Sequence, residues 1–357
     1  MHLAAVVEHA GHVCCRYRLA AFGPLLEQAG HRLELLPRPC HLREWPGLVR
    51  RLRGADAVIV QRKLLPAWQL RLLRGRSRRL VYDFDDAIFL RRASDGWAGN
   101  RPRRFAAAVR AADMTVAGNA FLAVQAVPHA GRGRVRVIPT CVDPARYCLA
   151  DHVRAGRGVE LAWIGSSSTL RGLEAARSLL EDLGRHLPGL HLKIVCDRFP
   201  RLQHLPVVEC PWSEAGEAGA LAAADIGVSW LPDDRWSRGK CGLKVLQYMA
   251  AGLPVVANPV GVQADMVRHG QTGFLAETPR QWLAAVGRLA HDPGLRRRMG
   301  RAGRRLVETT YGVGVGAAHW VALVEELRAT SPQRAGRPGG VFVPPGPAAT
   351  GPRLRFS

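Results

Sequence analysis

The sequence predicts an α/β protein with two doubly wound domains, each built on a parallel sheet that helices cover. Short runs rich in β-branched residues alternate with longer helical patterns along the chain, as is typical of parallel sheets with helical crossovers. The length of 357 residues suits two such domains. A turn-rich, charged segment, Pro139–Arg157, separates the two series of elements and is interpreted as a linker.

The first series of elements covers residues 1–150, which we expect to form the first domain. Short apolar runs bounded by turn or charged residues are assigned to strands, and stretches with helical spacing of apolar residues are assigned to helices. The strands are expected at Leu3–Val7, Arg32–Leu36, Ala57–Val60, Leu80–Phe84, Met114–Ala117 and Arg134–Ile138. The helices are expected at Arg16–Gln28, Arg43–Arg53, Pro66–Arg74, Arg103–Ala112 and Asn119–Val127.

The second series covers residues 151–312, which we expect to form the second domain. The strands are expected at Val159–Ile164, His191–Val195, Ile226–Trp230, Pro254–Ala257 and Gly273–Ala276. The helices are expected at Leu170–His186, Glu214–Ala223, Cys241–Ala251, Pro279–Ala290 and Gly294–Thr309, with a last helix, Gly314–Arg328, inside residues 313–330. Residues 331–357 are rich in Pro, Gly and Arg, and they are expected to form a disordered tail.

The formal net charge of +22 indicates partners that carry phosphate, such as nucleic acid, an anionic membrane surface or a diphosphate substrate. Most basic residues are arginines, and lysine occurs only at Lys63, Lys193, Lys240 and Lys244. Two of the four lie close together, which indicates a position where a compact charge is needed. The basic stretches His41–Arg53 and Ala67–Arg79 also contain Trp and Leu, and they suggest either peripheral contact with an anionic membrane or a plain solvated face.

The eight cysteines show neither a C-x-x-C pair nor the spacing of a zinc site, so we expect free thiols in a reducing compartment. The first residues lack the basic segment and the long apolar core of a signal peptide. No apolar run approaches the roughly 18 residues that are needed to cross a bilayer. We therefore expect a cytoplasmic protein, soluble or peripheral at the inner face of the membrane.

The strongest local signal is the segment Gly239–Ala257, with the sequence GKCGLKVLQYMAAGLPVVA. It predicts a glycine-containing loop that opens a helix, which ends at Gly252 before a buried strand. A helix N-terminus presents free N–H groups and a partial positive charge, and Lys240 and Lys244 add full charges beside it. Such a site suits a diphosphate leaving group, on which negative charge builds as its bond to a sugar breaks. The alternative is an ordinary helix start with solvated lysines.

This segment, together with Gly261 and the run HGQTGFLAETP, resembles the C-terminal signature of the retaining glycosyltransferase family 4 and its near relatives. Four further stretches resemble that family in the same order: LVYDFDDAIF, ADMTVAGNAFL, VRVIPTCVDPARY and LAWIGSSSTLRGLEAA. The resemblance implies a GT-B fold, in which two Rossmann-like domains face a central cleft and the last helix crosses back to the first domain. It also implies a nucleoside diphosphate sugar as donor, retention of anomeric configuration, and no metal or cofactor.

The resemblance assigns donor binding to one group of residues and a catalytic role to two of them, Arg171 and Lys244. The donor-binding residues are Gly165, Ser166, Thr169, Arg171, Lys240, Gly242, Leu243, Lys244 and Gln247. Gly165–Ser166 stands where the family has a Gly–Arg turn, so the charge of that arginine is missing. The hydroxyls of Ser166 and Thr169 could bind phosphate oxygens, and they could also cap the next helix.

The family's paired glutamates are a clear departure, because Gly239 and Gln247 occupy their positions. A contact to the ribose of the donor would then come from the amide of Gln247. The substitution fits an active variant in which lysines dominate the loop, and it also fits a weakly active or inactive relative.

In the first domain, Asp85 and Asp86 follow a predicted buried strand. By resemblance, Asp85 falls where family members often place a histidine against the sugar, and it is assigned a catalytic role. Either carboxylate could orient an acceptor hydroxyl or accept its proton. The alternative is a carboxylate at a strand end that caps the next segment or pairs with Arg62. The D-x-D pattern of Asp83 and Asp85 alone is weak support for a metal site, and none is predicted.

Acceptor binding is assigned to Arg16, Arg18, Asp86 and Asn119. Arg16 and Arg18 are expected at a helix N-terminus that faces the cleft, where a bound anion would offset their repulsion by the helix dipole. A solvated basic face is the alternative for both arginines. Asn119 follows a predicted strand and could instead serve only as a helix N-cap.

These observations predict an enzyme that transfers a sugar from a nucleoside diphosphate sugar to a carbohydrate or lipid-linked acceptor, as in the synthesis of bacterial surface polysaccharide or glycolipid. One alternative is a catalytically inactive nucleotide-binding scaffold of the same fold. Another is a basic protein that binds nucleic acid, which the aromatic content of 6% disfavours. A nucleotide-sugar epimerase would need acids and bases around the sugar, and the sequence offers none near Gln247.

Overall fold

A computed structural model of the chain describes residues 1–91, 99–152 and 158–330. The first domain contains one parallel sheet, and its strands follow the order β2-β1-β3-β4-β5-β6. The strands are β1 (His2–Val7), β2 (Arg32–Pro37), β3 (Ala57–Gln61), β4 (Arg79–Phe84), β5 (Met114–Ala117) and β6 (Val135–Val137). The helices around it are α1 (Val13–Arg18), α2 (Gly23–Gln28), α3 (Trp45–Arg51), α4 (Ala67–Arg74), α5 (Arg101–Ala111) and α6 (Ala120–Ala130).

The second domain contains a parallel sheet with the order β12-β11-β10-β7-β8-β9. Its strands are β7 (Val159–Ile164), β8 (Leu190–Cys196), β9 (Val207–Pro211), β10 (Ile226–Ser229), β11 (Val255–Ala257) and β12 (Gly273–Leu275). Its helices are α7 (Ser167–Ala175), α8 (Arg177–His186), α9 (Glu217–Ala222), α10 (Arg235–Arg238), α11 (Leu243–Ala250), α12 (Gln263–Met266), α13 (Pro279–His291) and α14 (Pro293–Leu306).

Strand order places a crevice at the same relative position in both sheets. Chain connections leave in opposite directions on either side of the β1–β3 pair in the first sheet and of the β7–β10 pair in the second. Ligands of such sheets bind outside the carboxyl ends of the strands at these switch points. The contacts between the domains come from the same carboxyl edges, because residues after β4 and β5 touch the loop before α11.

The last helix, α15 (Val313–Ala329), packs on the first domain although it follows the second in sequence. Its apolar face, which includes Trp320 and Val324, belongs to one buried cluster with Leu3 and Val7 of β1. The guanidinium of Arg79 also donates to the carbonyl oxygen of Leu327 at 2.9 Å. Within the described ranges, no helix combines the length and apolarity that spanning a membrane requires.

Several predicted elements differ from the observed ones. The predicted helix Arg16–Gln28 is broken at Leu19, whose φ of −134° is not helical, into α1, a short 3₁₀ turn and α2. The predicted helix Leu170–His186 is divided at Ala176 into α7 and α8. The strand β9 was not predicted, because it is an edge strand that ends in Pro211 and has no fully buried residue.

Candidate active site

The crevice of the second sheet is formed where β7 ends and turns into α7. The backbone N–H of Ser166 donates to Thr169 Oγ1 at 3.2 Å, and the hydroxyl oxygens of Ser166 and Ser168 lie 2.8 Å apart. Ser166 is therefore the N-cap of α7, which is the alternative that the sequence left open. Capping leaves the hydroxyl groups at the exposed mouth of the crevice, so it is compatible with a contact to phosphate.

One backbone amide of α7 already donates to a carboxylate that the sequence did not reveal. Asp197, which follows β8, accepts the backbone N–H of Ser167 through Oδ1 at 2.7 Å. Hydrogen bonds from Ser167 lower the pKa of Asp197 to about 2. The Ser167 amide is thus not open to a ligand in this conformation, and an anion would have to bind nearer to Gly165.

Lys244 lies on the first turn of α11 and reaches across to the start of α7. Its Nζ lies 3.4 Å from Thr169 Oγ1 and 3.6 Å from the centroid of the Trp163 ring, a cation–π contact. Burial, and after it the charge of Lys240, lowers the pKa of Lys244 to about 7. Among the described residues no carboxylate pairs with this ammonium group, so a phosphate would supply the missing counter-charge.

Gly242 brings the N-terminus of α11 to the same place. Its φ of 68° is left-handed, and a Cβ at this position would lie 2.4 Å from Met266 Sδ, so the position requires glycine. Among the described residues, no side chain caps α11, and its first turn carries no acidic residue. The free amides from Leu243 onward therefore remain available for an anion.

These features converge on one site, which we call the phosphate cradle: Gly165, Thr169, Gly242, Leu243 and Lys244. Gly165 is the floor of the cradle, because a Cβ built on it would lie 2.7 Å from Lys244 Nζ and 2.6 Å from Thr169 Oγ1. Arg171, which was predicted to bind the diphosphate, lies exposed on α7 beyond its first turn.

Substituting Gly165 with alanine should close the cradle without unfolding the domain. The added methyl group would push Lys244 and Thr169 apart, and overpacking of this kind costs about 1–3 kcal/mol. We expect nucleotide affinity to fall about tenfold to a hundredfold. Gly172→Ala is the matched control, because a Cβ there would approach no closer than 3.8 Å to the Trp230 carbonyl oxygen. Equal affinities of the two variants, measured by calorimetry, would contradict the cradle.

Gln247 lies outside the cradle in this structure. Its side chain is buried, and its amide Nε2 donates to the hydroxyl oxygens of Tyr17 at 3.1 Å and Tyr147 at 3.3 Å. Tyr17 in turn donates to Glu217 Oε1 at 2.7 Å. A contact between Gln247 Nε2 and a ribose would require this nitrogen to exchange its tyrosine partners, so the contact that the resemblance implied would fall to Oε1 in this conformation.

Arg16 joins the two domains, and the prediction that it lies open to the cleft is wrong for this conformation. Its guanidinium stacks between the rings of Tyr17 and Trp212, with centroid distances of 5.3 and 5.7 Å. It also pairs with Glu214 at 2.9 Å and approaches Glu217 at 3.6 Å. The positive charge that was assigned to acceptor binding is therefore held by carboxylates of the second domain.

Arg18 is a structural residue, and its assignment to acceptor binding is contradicted by its burial. The side chain is 1% exposed, and its Nε and Nη2 bind the carboxylate of Asp83, which is 0% exposed, at 2.5 to 3.1 Å. A third contact runs from Nη1 to the carbonyl oxygen of Ile138 at 3.0 Å. No side of this guanidinium is left for a substrate.

Asp85 and Asp86 form an ionic cluster with Arg62 and Lys240. Arg62 Nη2 lies 2.7 Å from Asp86 Oδ2 and its Nη1 lies 3.4 Å from Asp85 Oδ1, so the pairing that was held as an alternative is present. Lys240 Nζ lies 2.9 Å from the same Asp86 oxygen. Lys240 thus bridges from the second domain to the first, in place of the free diphosphate contact that was predicted.

The charge state of Asp85 limits its chemistry. Burial alone would raise the pKa of Asp85, but the charges of Arg62 and Arg18 outweigh it, and the pKa is lowered. A carboxylate with a lowered pKa is a weak base, so it suits orientation of a hydroxyl better than proton abstraction. Within the described ranges, no group of three or more His, Cys, Asp or Glu side chains is placed to hold a metal ion.

Asn119 is a helix N-cap, which is the alternative that the sequence left open, and its assignment to acceptor binding stays a prediction. Its Oδ1 accepts the Leu122 N–H at 2.8 Å and so caps α6. Its Nδ2 donates to the carbonyl oxygen of Lys240 at 3.0 Å. Because a Cβ at the adjacent Gly118 would lie 2.4 Å from Cys241 Sγ, the loop before α11 is packed tightly against the first domain.

Comparison with known proteins gives two kinds of likeness. Residues 169–292 match the family model described as glycosyl transferases group 1. A D-inositol 3-phosphate glycosyltransferase of Acidothermus cellulolyticus is 31% identical over 216 residues, which are 53% of this chain and 48% of that protein. The chain therefore spans about half the length of the relatives that it matches.

Solved structures align with nearly the whole chain. The sucrose-phosphate synthase of Thermosynechococcus elongatus aligns with a TM-score of 0.71 at 16% identity, over 92% of this chain and 99% of its own. Alr3699/HepE of Anabaena, in complex with UDP and glucose, aligns with a TM-score of 0.66 at 16% identity over the same shares. At this identity the likeness concerns the fold, and it confirms the predicted GT-B fold with two Rossmann-like domains.

Proposed function

We propose that this protein is a glycosyltransferase that moves a sugar from a nucleoside diphosphate sugar to an acceptor hydroxyl, with retention of configuration. The phosphate cradle carries the proposal, because an open helix N-terminus and a lysine with no acidic partner among the described residues meet at the switch point of the second sheet. The match of residues 169–292 to the group 1 glycosyl transferases supports it, since the cradle lies within them apart from Gly165. Alr3699/HepE has been solved with UDP and glucose, so uracil is the first base to test.

The cradle would stabilise the leaving group. When the bond between the sugar and the diphosphate breaks, negative charge grows on the phosphate oxygens. The Leu243 amide and the ammonium group of Lys244 would meet that charge, and Lys244 would become fully protonated as the anion binds. We include metal independence and the absence of a cofactor in the proposal, because fixed positive groups of the chain can stabilise this charge.

The first domain would present the acceptor. The acceptor hydroxyl would attack the sugar from the face that the diphosphate vacates, and the departing phosphate oxygen would take the proton of that hydroxyl. This route needs no protein nucleophile and no protein base of raised pKa, which suits the lowered pKa of Asp85. Asp85 would then orient the hydroxyl, while Asp86 and Lys240 hold the domains closed.

A thermal-shift panel of UDP, GDP, ADP and their sugar conjugates tests the proposal. We expect stabilisation by one nucleotide family, followed by donor-dependent transfer whose anomeric product is assigned by NMR. A nucleotide that binds without transfer or hydrolysis would favour the inactive scaffold. Steep salt-dependent binding to oligonucleotides, with no nucleotide binding, would favour a nucleic-acid-binding protein. A cytoplasmic location, membrane contact, and a role in surface polysaccharide or glycolipid synthesis stay predictions.

A further inference from the structure

A second pocket lies in the first domain, at the carboxyl edge of β1 and β3. Its volume is about 610 Å³, and its walls include Glu8 after β1, Arg62 and Lys63 after β3, and Arg101 and Arg104 of α5. Trp236 of the second domain also lines it. The pocket therefore occupies the switch point of the first sheet and opens between the two domains, where an acceptor would meet the donor.

The charge in this pocket is positive and only partly compensated. Glu8 is the single carboxylate among the described lining residues, and it forms an ion pair with Lys63. Arg62 is held by Asp85 and Asp86. Arg91 lines the pocket as well. Arg101 and Arg104 of α5 pair with no acidic side chain among the described residues.

Arg101 and Arg104 contact backbone oxygens. Arg101 Nε donates to the carbonyl oxygen of Ile88 at 2.8 Å, and Arg104 Nη1 donates to that of Leu64 at 3.5 Å. Burial, and after it the charges of Arg91 and Arg62, lowers the pKa of Arg101. A carbonyl satisfies one N–H of a guanidinium group but does not neutralise its charge, so each arginine retains donors for an anion.

The position of these arginines on α5 is itself unfavourable in the free protein. They lie in the first turn of an 11-residue helix that has no acidic residue there, and the N-cap Asn100 makes no side-chain capping bond. The helix dipole places positive charge at the same end, so the cations raise the energy of the empty site. An anion bound between them would relieve this repulsion and accept N–H bonds.

Backbone strain is found at the boundary between this pocket and Asp85. Arg62 has a φ of 58°, a left-handed conformation that costs energy in a residue with a side chain. The strained turn aims its guanidinium at Asp85 and Asp86 from the pocket wall. A molecule bound in the pocket would thus lie beside the carboxylate that is proposed to orient the acceptor hydroxyl.

We propose that the acceptor carries a phosphate group and that Arg101 and Arg104 bind this phosphate in the pocket. The inference rests on the proposed function and extends it by naming the acceptor class. A phosphorylated sugar or polyol in solution and the phosphate of a lipid-linked acceptor present the same chemistry. Bidentate arginine contacts and a helix N-terminus suit a tetrahedral oxyanion of either source.

The test compares two double variants of α5 that remove the same charge. Arg101→Ala with Arg104→Ala takes both cations from the pocket, whereas Arg103→Ala with Arg110→Ala takes two exposed cations from the same helix. Calorimetry at constant ionic strength measures inorganic phosphate and glucose 6-phosphate. Vesicles of phosphatidylcholine, with and without phosphatidate, provide the lipid arm in a sedimentation assay.

We expect the pocket variant to bind the phosphate probe at least about tenfold more weakly than wild type, and the control variant to bind it almost as well. Glucose 6-phosphate binding assigns a soluble acceptor, and binding to phosphatidate vesicles alone assigns a lipid-linked one. Equal losses in both variants, or no loss in the pocket variant, would overturn the proposal. So would a wild-type protein that binds none of the probes.

Two further measurements show whether a loss of phosphate binding comes from unfolding or from a change at the donor site. Arg101→Lys with Arg104→Lys keeps the positive charge. It should recover part of the phosphate binding if the alanine variant lost binding because its charge was removed and not because it unfolded. UDP binding should be the same in all variants, because the cradle lies in the second domain. If wild type does not bind UDP, the proposed function is rejected. Phosphate binding is measured separately, so the two failures can be told apart.

Discussion

Substituting Lys244 with methionine is expected to reduce transfer about 10²- to 10³-fold, the scale of losing one preorganised charge at a developing anion. Methionine keeps a long apolar side chain against Trp163 and so preserves the packing at the start of α11. It removes the ammonium group that reaches Thr169 across the cradle. Calorimetry with UDP and a steady-state transfer assay should therefore both show the loss.

Lys240→Met is the control, because it removes the other lysine of the same loop. Lys240 is bound to Asp86, so its loss should loosen the contact between the domains and leave nucleotide affinity within a few-fold of wild type. If both variants lose nucleotide binding equally, both lysines bind the diphosphate. If Lys244→Met binds UDP like wild type, the cradle does not bind nucleotide.

The pH dependence of the same lysine gives a sharper form of this prediction. The pKa of Lys244 is about 7 in the free protein, and a bound diphosphate must raise it, since it favours the charged form. Affinity for UDP-glucose should then be greatest below about pH 7 and fall by up to about tenfold per pH unit above it. The same slope in Lys244→Met would assign the titration to another group.

The free protein should show the opposite trend in its folding stability. The folded pKa of Lys244 lies below its ordinary value of 10.5, so the unfolded chain binds more protons between about pH 7 and that value. Stability therefore rises with pH across this window as far as Lys244 is concerned. Urea unfolding of wild type and Lys244→Met, at pH 7 and pH 9, should show a smaller gain with pH in the variant.

The cradle could be found from the sequence because its parts are local. Gly165 and Thr169 follow a buried strand, and Gly242 and Lys244 open the next predicted helix of the motif. Parallel strands bring their carboxyl ends to one edge, so such segments converge without knowledge of their side-chain contacts. Trp163 left a weaker signal, as an aromatic residue two positions before the turn, and it was missed.

The roles of the arginines and of Gln247 could not be found in this way, since their partners are distant in sequence. Arg18 meets Asp83 across 65 positions, and Gln247 meets Tyr17 across 230. A helix pattern fixes which face is apolar but not which carboxylate a basic side chain will meet. Arg16 and Arg18 were therefore given to a substrate when carboxylates of the chain itself already hold them.

The interpretation of Arg18 leads to the second large effect. Arg18→Met should lower the free energy of unfolding by about 3–5 kcal/mol, because it leaves the carboxylate of Asp83 buried without a counter-charge. Guanidinium unfolding should show this as a lower midpoint. Had Arg18 been an acceptor ligand, the variant would lose activity and keep its stability.

Two further conditions distinguish a buried ion pair from a mere packing defect at Arg18. Burial raises the pKa of Asp83, and without Arg18 it should rise further, so the folded variant takes up a proton that the unfolded chain releases. Its stability should therefore fall as pH rises, and the loss against wild type should be smaller at pH 5 than at pH 8.

The double variant Arg18→Met with Asp83→Asn should recover part of the loss, since the uncompensated charge is then gone. A loss that is independent of pH and additive in the double variant would show that Arg18 contributes by packing rather than by its charge.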